Sequence, residues 1–197
     1  MTRIQKLEQS VADLYAVHEP ARADWADWLG ENHVFLVADH ATELSRRFGA
    51  NEELARAGAL LHDIADTKMS RFADNHEETS LTMARELMQQ AGFDETEIHL
   101  TVDDAIRLHS CHTGRIPTSI EGKVLATADA KAHLLSDFYL FAAWAMGKEG
   151  KTLDEVKQYV LKKIDRDFYN KILFEEVRTE CQTAYDALRV VFSQSSS

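Results

Sequence analysis

The sequence predicts an all-α protein, and three observations lead to that prediction. Apolar residues recur at helical spacing along almost the whole chain of 197 residues, and only two prolines interrupt it. No stretch shows the alternation of apolar and polar residues that is typical of a half-buried β-strand. The length suits one domain with a complete hydrophobic core.

Start and stop residues divide the first half of the chain into helices. The first helix is expected to end before Pro20, and the second, which begins at Trp25, is expected to break at Gly30. Asn51 and Asp94 are expected to cap later helices, because their side chains accept hydrogen bonds from free backbone N–H groups. We therefore expect helices within residues 4–14, 25–48, 51–62, 75–91 and 94–109.

The second half continues the helical pattern. Thr152, with Glu155 three residues later, has the spacing of a capping box, in which each side chain bonds the backbone of the other residue. We expect helices within residues 124–131, 138–146, 152–167 and 171–192, after a turn at residues 114–117.

The charge balance and the cysteines limit the partners and the compartment. The chain has 33 acidic and 22 basic residues, and its formal net charge of −11 opposes attraction to nucleic acid or to an anionic membrane surface. Its two cysteines, Cys111 and Cys181, are too few for a disulfide framework and fit a reducing compartment. The polar N-terminus does not resemble a signal peptide, and the apolar segment 139–146 is too short to span a membrane. We therefore expect a cytoplasmic protein with no nucleic-acid or membrane partner.

The histidines indicate where the chemistry lies. All nine fall between His18 and His133, and residues 134–197 contain none. Histidine is the commonest metal ligand and a frequent acid or base. The clearest local pattern is the adjacent pair His62 and Asp63 at the end of an apolar helix. Neighbouring helical side chains point about 100° apart, so both can reach one ion only if other helices supply further ligands. Candidate donors in similar apolar settings are His33, His76, His109 and Asp129.

Asp129 carries the most weight among these candidates, because its apolar neighbours predict that it is buried. A buried carboxylate is costly unless it is paired or binds a cation. Asp129 could pair with Lys131 or Arg107, and each candidate histidine could be an ordinary hydrogen-bonded core residue. Taken together in one chain, the candidates favour a functional site. His18, His99 and His133 are expected to be structural or exposed.

The candidates also occur in a recognisable order. His33 opens a helix in the segment His-Val-Phe-Leu-Val-Ala, His62 and Asp63 close the next helix, and Asp129 follows much later. Between them, His76 begins one helix and His109 lies in another. In these five segments the chain resembles the HD-domain superfamily of metal-dependent phosphohydrolases. The resemblance covers about residues 30–135, roughly half of the sequence.

The resemblance implies a helical bundle that binds a divalent metal through His33, His62, Asp63 and Asp129. These nitrogen and oxygen ligands suit Mn²⁺, Fe²⁺, Ni²⁺, Co²⁺ or Zn²⁺, with Mg²⁺ as a further candidate. Four protein ligands leave open positions for water and substrate.

Two further histidines imply a second ion or a direct catalytic role. In dinuclear members of the superfamily, histidines that match His76 and His109 bind the second metal, and the aspartate that matches Asp63 bridges the two. The same histidines could instead contact a phosphate or transfer protons beside a single ion. In the implied reaction a metal-activated water attacks phosphorus, and protonated His76 or His109 assists the leaving group. The expected catalytic residues are therefore His76, His109 and Asp63.

Basic residues near the motifs are candidates for binding the substrate phosphate. Lys68 and Arg71 follow the His62–Asp63 pair, and Lys131 lies two residues after Asp129. His112, near the expected end of its helix, could line the pocket. The expected substrate is a small phosphate ester or nucleotide. Because residues 31–133 are themselves acidic, the bound metal would have to make the pocket attractive to an anion.

Two other functions remain open at this point. Some relatives that have both extra histidines are di-iron oxygenases, which would be revealed by two irons and O₂ uptake with substrate. The chain could also be a regulatory module that binds a metal without catalysis.

We expect a single domain over residues 1–197, with an HD core at about 25–135 and a helical appendage at about 136–193. Three roles are open to the appendage. It could cover the pocket, set the size of the substrate, or form the face of a homodimer through the aromatic residues at 138–144.

Overall fold

The computed structural model describes residues 1–193 and confirms the all-α class, since no strand occurs in that range. Short 3₁₀ turns (Ile64–Thr67 and His112–Gly114) and π-helical segments (His99–Ile106 and Asp167–Lys171) connect or extend the helices. The α-helices are α1 (Arg3–Ala16), α2 (Ala26–Asn32), α3 (Val34–Phe48), α4 (Glu52–Leu61), α5 (His76–Ala91), α6 (Glu95–Ile98), α7 (Ile120–Leu135), α8 (Phe138–Lys148), α9 (Leu153–Arg166) and α10 (Glu175–Ser193).

Most helix ends follow the sequence signals. The Asn51 side chain accepts hydrogen bonds from the N–H groups of Glu53 and Leu54 and so caps α4. The predicted capping box of Thr152 and Glu155 is confirmed at the start of α9. Two helices, α3 and α5, end at glycines with left-handed backbones, which most other residues would strain to adopt.

The predicted break at Gly30 is wrong, because the helix is interrupted at His33 instead. Gly30 lies inside α2, where the helix passes so close to α1 that a Cβ at this position would lie 2.9 Å from Cδ1 of Tyr15. The glycine therefore permits close helix packing. His33 has φ −126° and ψ −58° and separates α2 from α3, which turns its side chain toward the centre of the molecule.

The core of the molecule is built around α7. This helix is buried on almost every side, as expected for one that is apolar all round, and it contacts α3, α4, α8, α10 and the segment Asp167–Lys171. Gly58 allows α4 to approach it closely, since a Cβ there would lie 3.3 Å from a methyl group of Leu125. Within residues 1–193 no helix is both long enough and apolar enough to cross a bilayer.

Candidate metal centre

Three potential metal ligands meet where α3, α4 and α7 converge. His33 precedes α3, His62 follows the last turn of α4, and Asp129 lies in the middle of α7. All three are at least 98% buried, and they offer one donor atom each within 4.8 Å of one another. Oδ1 of Asp129 lies 3.2 Å from Nε2 of His33 and 3.8 Å from Nε2 of His62.

The unpaired atoms of this cluster fit a divalent cation. Nε2 of His62 and Oδ1 of Asp129 are buried and find no hydrogen-bond partner among the described residues. Unpaired buried polar atoms are costly, and native proteins rarely leave several together without a ligand. Nδ1 of His62 lies 2.7 Å from the carbonyl oxygen of Ala59, so the ring can donate there and leave Nε2 free as an acceptor. Metal-bound histidines are commonly held in this way.

Asp63 lies beside this cluster and is held by Arg71. One Nη of Arg71 donates to Oδ2 of Asp63 over 2.8 Å and also bonds Asp66, which is fully buried. Nε2 of His76 lies 2.9 Å from the other oxygen of Asp66. Burial would raise the pKa of Asp63, but Arg71 and then the neighbouring histidines outweigh it and hold that pKa well below its usual range. Asp63 is therefore ionised at neutral pH.

His109 and His112 line the cavity beside the cluster. The ring of His109 is 5.3 Å from that of His62, and its Nδ1 is 2.6 Å from the carbonyl oxygen of Ile106. Burial, followed by the charge of Lys171, lowers the pKa of His109 to about 4, so this ring is neutral near pH 7. His112 is more exposed, and its Nε2 accepts from a guanidinium nitrogen of Arg166 over 2.7 Å.

The C-terminal helices supply residues that sequence reasoning missed. Asp129 pairs with Lys171, whereas the alternatives from the sequence were Lys131 and Arg107. The expectation that His133 is structural or exposed overlooked its place in the site, since it is buried with Nε2 3.2 Å from Oδ1 of Asp129. The spacing of four residues between Asp129 and His133 was the available signal, because such residues share a helix face. Nothing local marks Lys171, whose role depends on tertiary packing.

Burial and charge set the protonation of Asp129, His133 and Lys163. Burial would raise the pKa of Asp129, but His133 and Lys171 outweigh it and hold that pKa well below its usual range. Burial lowers the pKa of His133 to about 3 and that of Lys163 to about 8. The buried histidine is therefore neutral at physiological pH, which is the form that binds metals.

Two of the predicted phosphate-binding residues lie away from the centre. The Lys68 ammonium group contacts Glu19 at 3.3 Å and is partly exposed. Lys131 is buried, but its ammonium group contacts Glu43 at 3.3 Å and does not line the cavity at the centre. Lys131 points away from the cavity because it lies two residues after Asp129 on α7, and two residues along a helix correspond to a rotation of about 200°. Arg71 and His112 do line that cavity.

Two adjoining cavities give access to the cluster. The inner cavity has a volume of about 220 Å³ and reaches His62, Asp129 and His109, together with Asp63 and His76. Five basic residues contribute to its walls: Arg71, Arg107, Lys163, Arg166 and Lys171. The outer cavity, of about 750 Å³, is lined in part by aromatic side chains and shares Arg71, His112, Lys163 and Arg166 with the inner one.

Comparison with known proteins gives one match. A family model described as the HD domain matches residues 30–134, which is more than half of the chain. No curated protein and no solved structure matches. The matched residues include His33, His62 and Asp129, so the buried cluster lies within the part of the chain that the family model matches. The chain belongs to the HD-domain family, most members of which are metal-dependent hydrolases.

Proposed function

We propose that the protein is a metal-dependent phosphohydrolase that acts on a small phosphate ester or nucleotide. The observation that carries the proposal is the inner cavity, whose walls bring His62 and Asp129 of the donor cluster together with five basic side chains. Such a cavity suits a cation at its base and a phosphoryl group above it. The family membership supports the same chemistry.

The cluster offers His33, His62 and Asp129 as ligands, with Asp63 beside them as the fourth ligand that the family pattern implies. Imidazole and carboxylate donors suit Mn²⁺, Fe²⁺, Ni²⁺, Co²⁺ or Zn²⁺, with Mg²⁺ as a further candidate, and one or two ions. When bound, a divalent cation would lower the pKa of a coordinated water and screen the charge of a phosphoryl group.

The chain's own residues bind the phosphoryl group and handle protons. Arg71 and Arg166 are the best placed to bind phosphate oxygens, because guanidinium groups match them with two parallel N–H donors. Lys163 lies beside them. His109, being neutral, suits a second ion or proton acceptance, and this leaves His76 as the candidate proton donor to the leaving group.

The outer cavity suits the organic part of the substrate. Its volume of about 750 Å³ lies within the usual range for small-molecule sites. Aromatic side chains supply flat apolar surface, and the shared basic residues keep the charged end at the inner cavity. The aromatic lining residues are Trp25, Phe72, Phe138, Tyr159 and Tyr169. We propose no nucleic-acid or membrane partner and a cytoplasmic location, in keeping with the acidic composition.

A screen for phosphate release tests the proposal. Protein stripped with a chelator is reloaded in turn with each candidate cation and incubated with phosphate monoesters, nucleotides and cyclic dinucleotides. We expect metal-dependent release from at least one substrate, and a loss of at least about 100-fold for Asp129→Asn. The matched control is Asp137→Asn, at an exposed position before α8, which should retain full activity.

Three results would contradict the proposal. Release that does not depend on the metal, or that survives Asp129→Asn, would place the chemistry elsewhere. Binding of two irons with O₂ uptake would indicate the oxygenase alternative. Metal binding without turnover of any substrate would indicate a regulatory module.

A further inference from the structure

His133 contacts the cluster from a position that the family pattern does not include. It lies four residues after Asp129 on α7, so both side chains project from one face of the helix. Its Nε2 is 3.2 Å from Oδ1 of Asp129. Its ring lies parallel to the ring of His33, with 4.9 Å between centroids and 2° between planes. The two imidazoles therefore flank the same carboxylate oxygen.

Asp167 fixes the orientation of His133. This aspartate is fully buried, and its Oδ2 is 2.9 Å from Nδ1 of His133. The same oxygen accepts a hydrogen bond from the hydroxyl of Tyr139 over 2.6 Å and contacts the Lys163 ammonium group at 3.2 Å. Lys163 also lies 3.4 Å from Nδ1 of His133, but the shorter contact with the carboxylate assigns the Nδ1 proton to the histidine. Nε2 is then left with a free lone pair.

That lone pair faces an anionic oxygen. Oδ1 of Asp129 has no hydrogen-bond partner among the described residues, although Nε2 atoms of His33 and His133 both lie 3.2 Å from it. Two acceptors at this distance repel each other unless a cation lies between them. Donor atoms bound at about 2.1 Å to one ion, at a right angle, are about 3 Å apart. The spacing thus agrees with shared coordination.

We infer that His133 is a further ligand of the metal centre and that Asp167 orients it. The inference rests on the metal-binding part of the proposed function and not on the reaction. A metal-bound imidazole whose other nitrogen donates to a carboxylate is a common arrangement, and it strengthens the imidazole as a ligand. The C-terminal segment is then part of the metal centre, because Asp167 begins the π-helical turn after α9.

The competing account gives His133 a purely orienting role. If Nε2 carries a proton, it can donate to Asp129 and hold that carboxylate in place without touching the metal. Glutamine can replace a hydrogen-bond donor of this kind but is a poor substitute for a metal-bound imidazole. The substitution His133→Gln therefore separates the two accounts.

The test measures Co²⁺ binding to the full chain, by competition with a chromophoric chelator and by the visible absorption of the bound ion. We expect His133→Gln to weaken Co²⁺ binding by about 100-fold and to change the absorption bands. Asp167→Asn should weaken binding by about 10–100-fold. The control, His99→Gln, alters an exposed ring that is paired with Asp103 and should leave both properties unchanged. Circular dichroism checks that each variant is folded.

Each outcome decides a different question. If His133→Gln binds Co²⁺ within about threefold of the parent affinity, with the same bands, His133 is not a ligand, and the proposed phosphohydrolase stands without it. If the parent protein binds no Co²⁺, both the inference and the metal-dependent function fail. Should the variant not fold, pulsed electron paramagnetic resonance on Cu²⁺-loaded parent protein counts the bound imidazoles. His33, His62 and His133 together predict three, and a count of two would overturn the inference.

Discussion

Lys171 is the residue whose position most changes the account of the site. Its ammonium group is buried, pairs with Asp129 and lies 4.0 Å from Oδ1 of Asp167. The carboxylates of Asp129 and Asp167 are both buried, and they would repel each other strongly in a region of low dielectric constant. Lys171 and Lys163 reduce that repulsion from the protein side, while the metal would reduce it from the cavity side.

This arrangement predicts a stability loss that depends on the metal. Lys171→Met should destabilise chelator-treated protein by about 3–5 kcal/mol, because it leaves buried charge without its partner. Saturating Co²⁺ should reduce that loss, since the ion supplies positive charge to Asp129. Urea denaturation with and without the metal measures both values.

Lys131→Met is the matched control for this prediction. Lys131 is also buried and lies on the same helix as Asp129, but its partners Glu43 and Glu180 are about half-exposed. Its removal should cost no more than about 1 kcal/mol, with or without metal. Equal losses for the two variants would show that the Lys171–Asp129 pair has no special role.

The buried histidines predict how the stability of metal-free protein depends on pH. Burial lowers the pKa of His109 to about 4 and that of His133 to about 3, against about 6.5 in the unfolded chain. Between these values the unfolded chain binds protons that the folded protein does not. The free energy of unfolding is therefore at its full value above about pH 6.5 and falls as the pH decreases toward about 4. Each of the two histidines contributes a loss of up to about 1.4 kcal/mol for each pH unit.

Urea denaturation in the presence of chelator, between about pH 7.5 and about pH 5, measures this loss. His109→Gln should show a smaller loss than the parent protein, and His99→Gln, which changes an exposed ring, should show the same loss as the parent. A free energy of unfolding that does not change over this interval would contradict the burial of neutral histidines at the site.

At the scale of the helices, the separation of α4 from α7 sets the distance between His62 and Asp129. Gly58 permits that approach, with Leu125 and Thr101 against it. Gly58→Leu should therefore push the two helices apart. We expect a loss of about 1–3 kcal/mol in the free energy of unfolding, as for other overpacked cores, together with weaker Co²⁺ binding.

The control for this prediction is Gly147→Leu. Gly147 is also helical, in α8, but a Cβ there meets nothing within 4 Å. It should leave Co²⁺ affinity unchanged. Weakened binding in both variants would mean that the effect does not come from the contact between α4 and α7.

The helices also show which features could be predicted from the sequence and which could not. The capping side chains of Asn51 and Thr152 bond backbone groups within three residues, so the starts of α4 and α9 could be predicted from the sequence. His33, His62 and Asp129 were recognisable because each follows or lies within an apolar helix in a known order. The sequence does not show that Gly30 lies inside a helix, because its role depends on the close approach of Tyr15 from α1. Lys171 and Asp167 were missed for the same reason.

For the whole molecule, the charges around the inner cavity differ from the net charge of the chain. The net charge is −11, yet five basic side chains line the inner cavity, and three of them come from the C-terminal part of the chain. Asp63, Glu77 and Asp129 line the same cavity, and the expectation that the bound metal makes the pocket attractive to an anion stays a prediction. Close to a cavity wall, local charges outweigh distant ones, which salt screens beyond about 8–10 Å.

The C-terminal helices contribute residues to the cavity at the candidate metal centre. Lys163 and Arg166 lie at the end of α9, and Lys171 ends the π-helical turn that follows. Of the three roles open to this part of the chain, covering the pocket is the one that these contacts support. The HD core and the appendage, which the sequence analysis separates at about residue 135, both contribute residues to this site. A homodimer face at residues 138–144 stays a prediction.

Elemental analysis of the purified chain, after incubation with Mn²⁺, Co²⁺ or Zn²⁺ and removal of excess ion, tests the central claim that the buried cluster binds a divalent metal. We expect about one ion per chain for the parent protein, or two if His76 and His109 also bind, and almost none for Asp129→Asn. A folded parent protein that retains no metal, or an Asp129→Asn variant that retains as much as the parent, would contradict it.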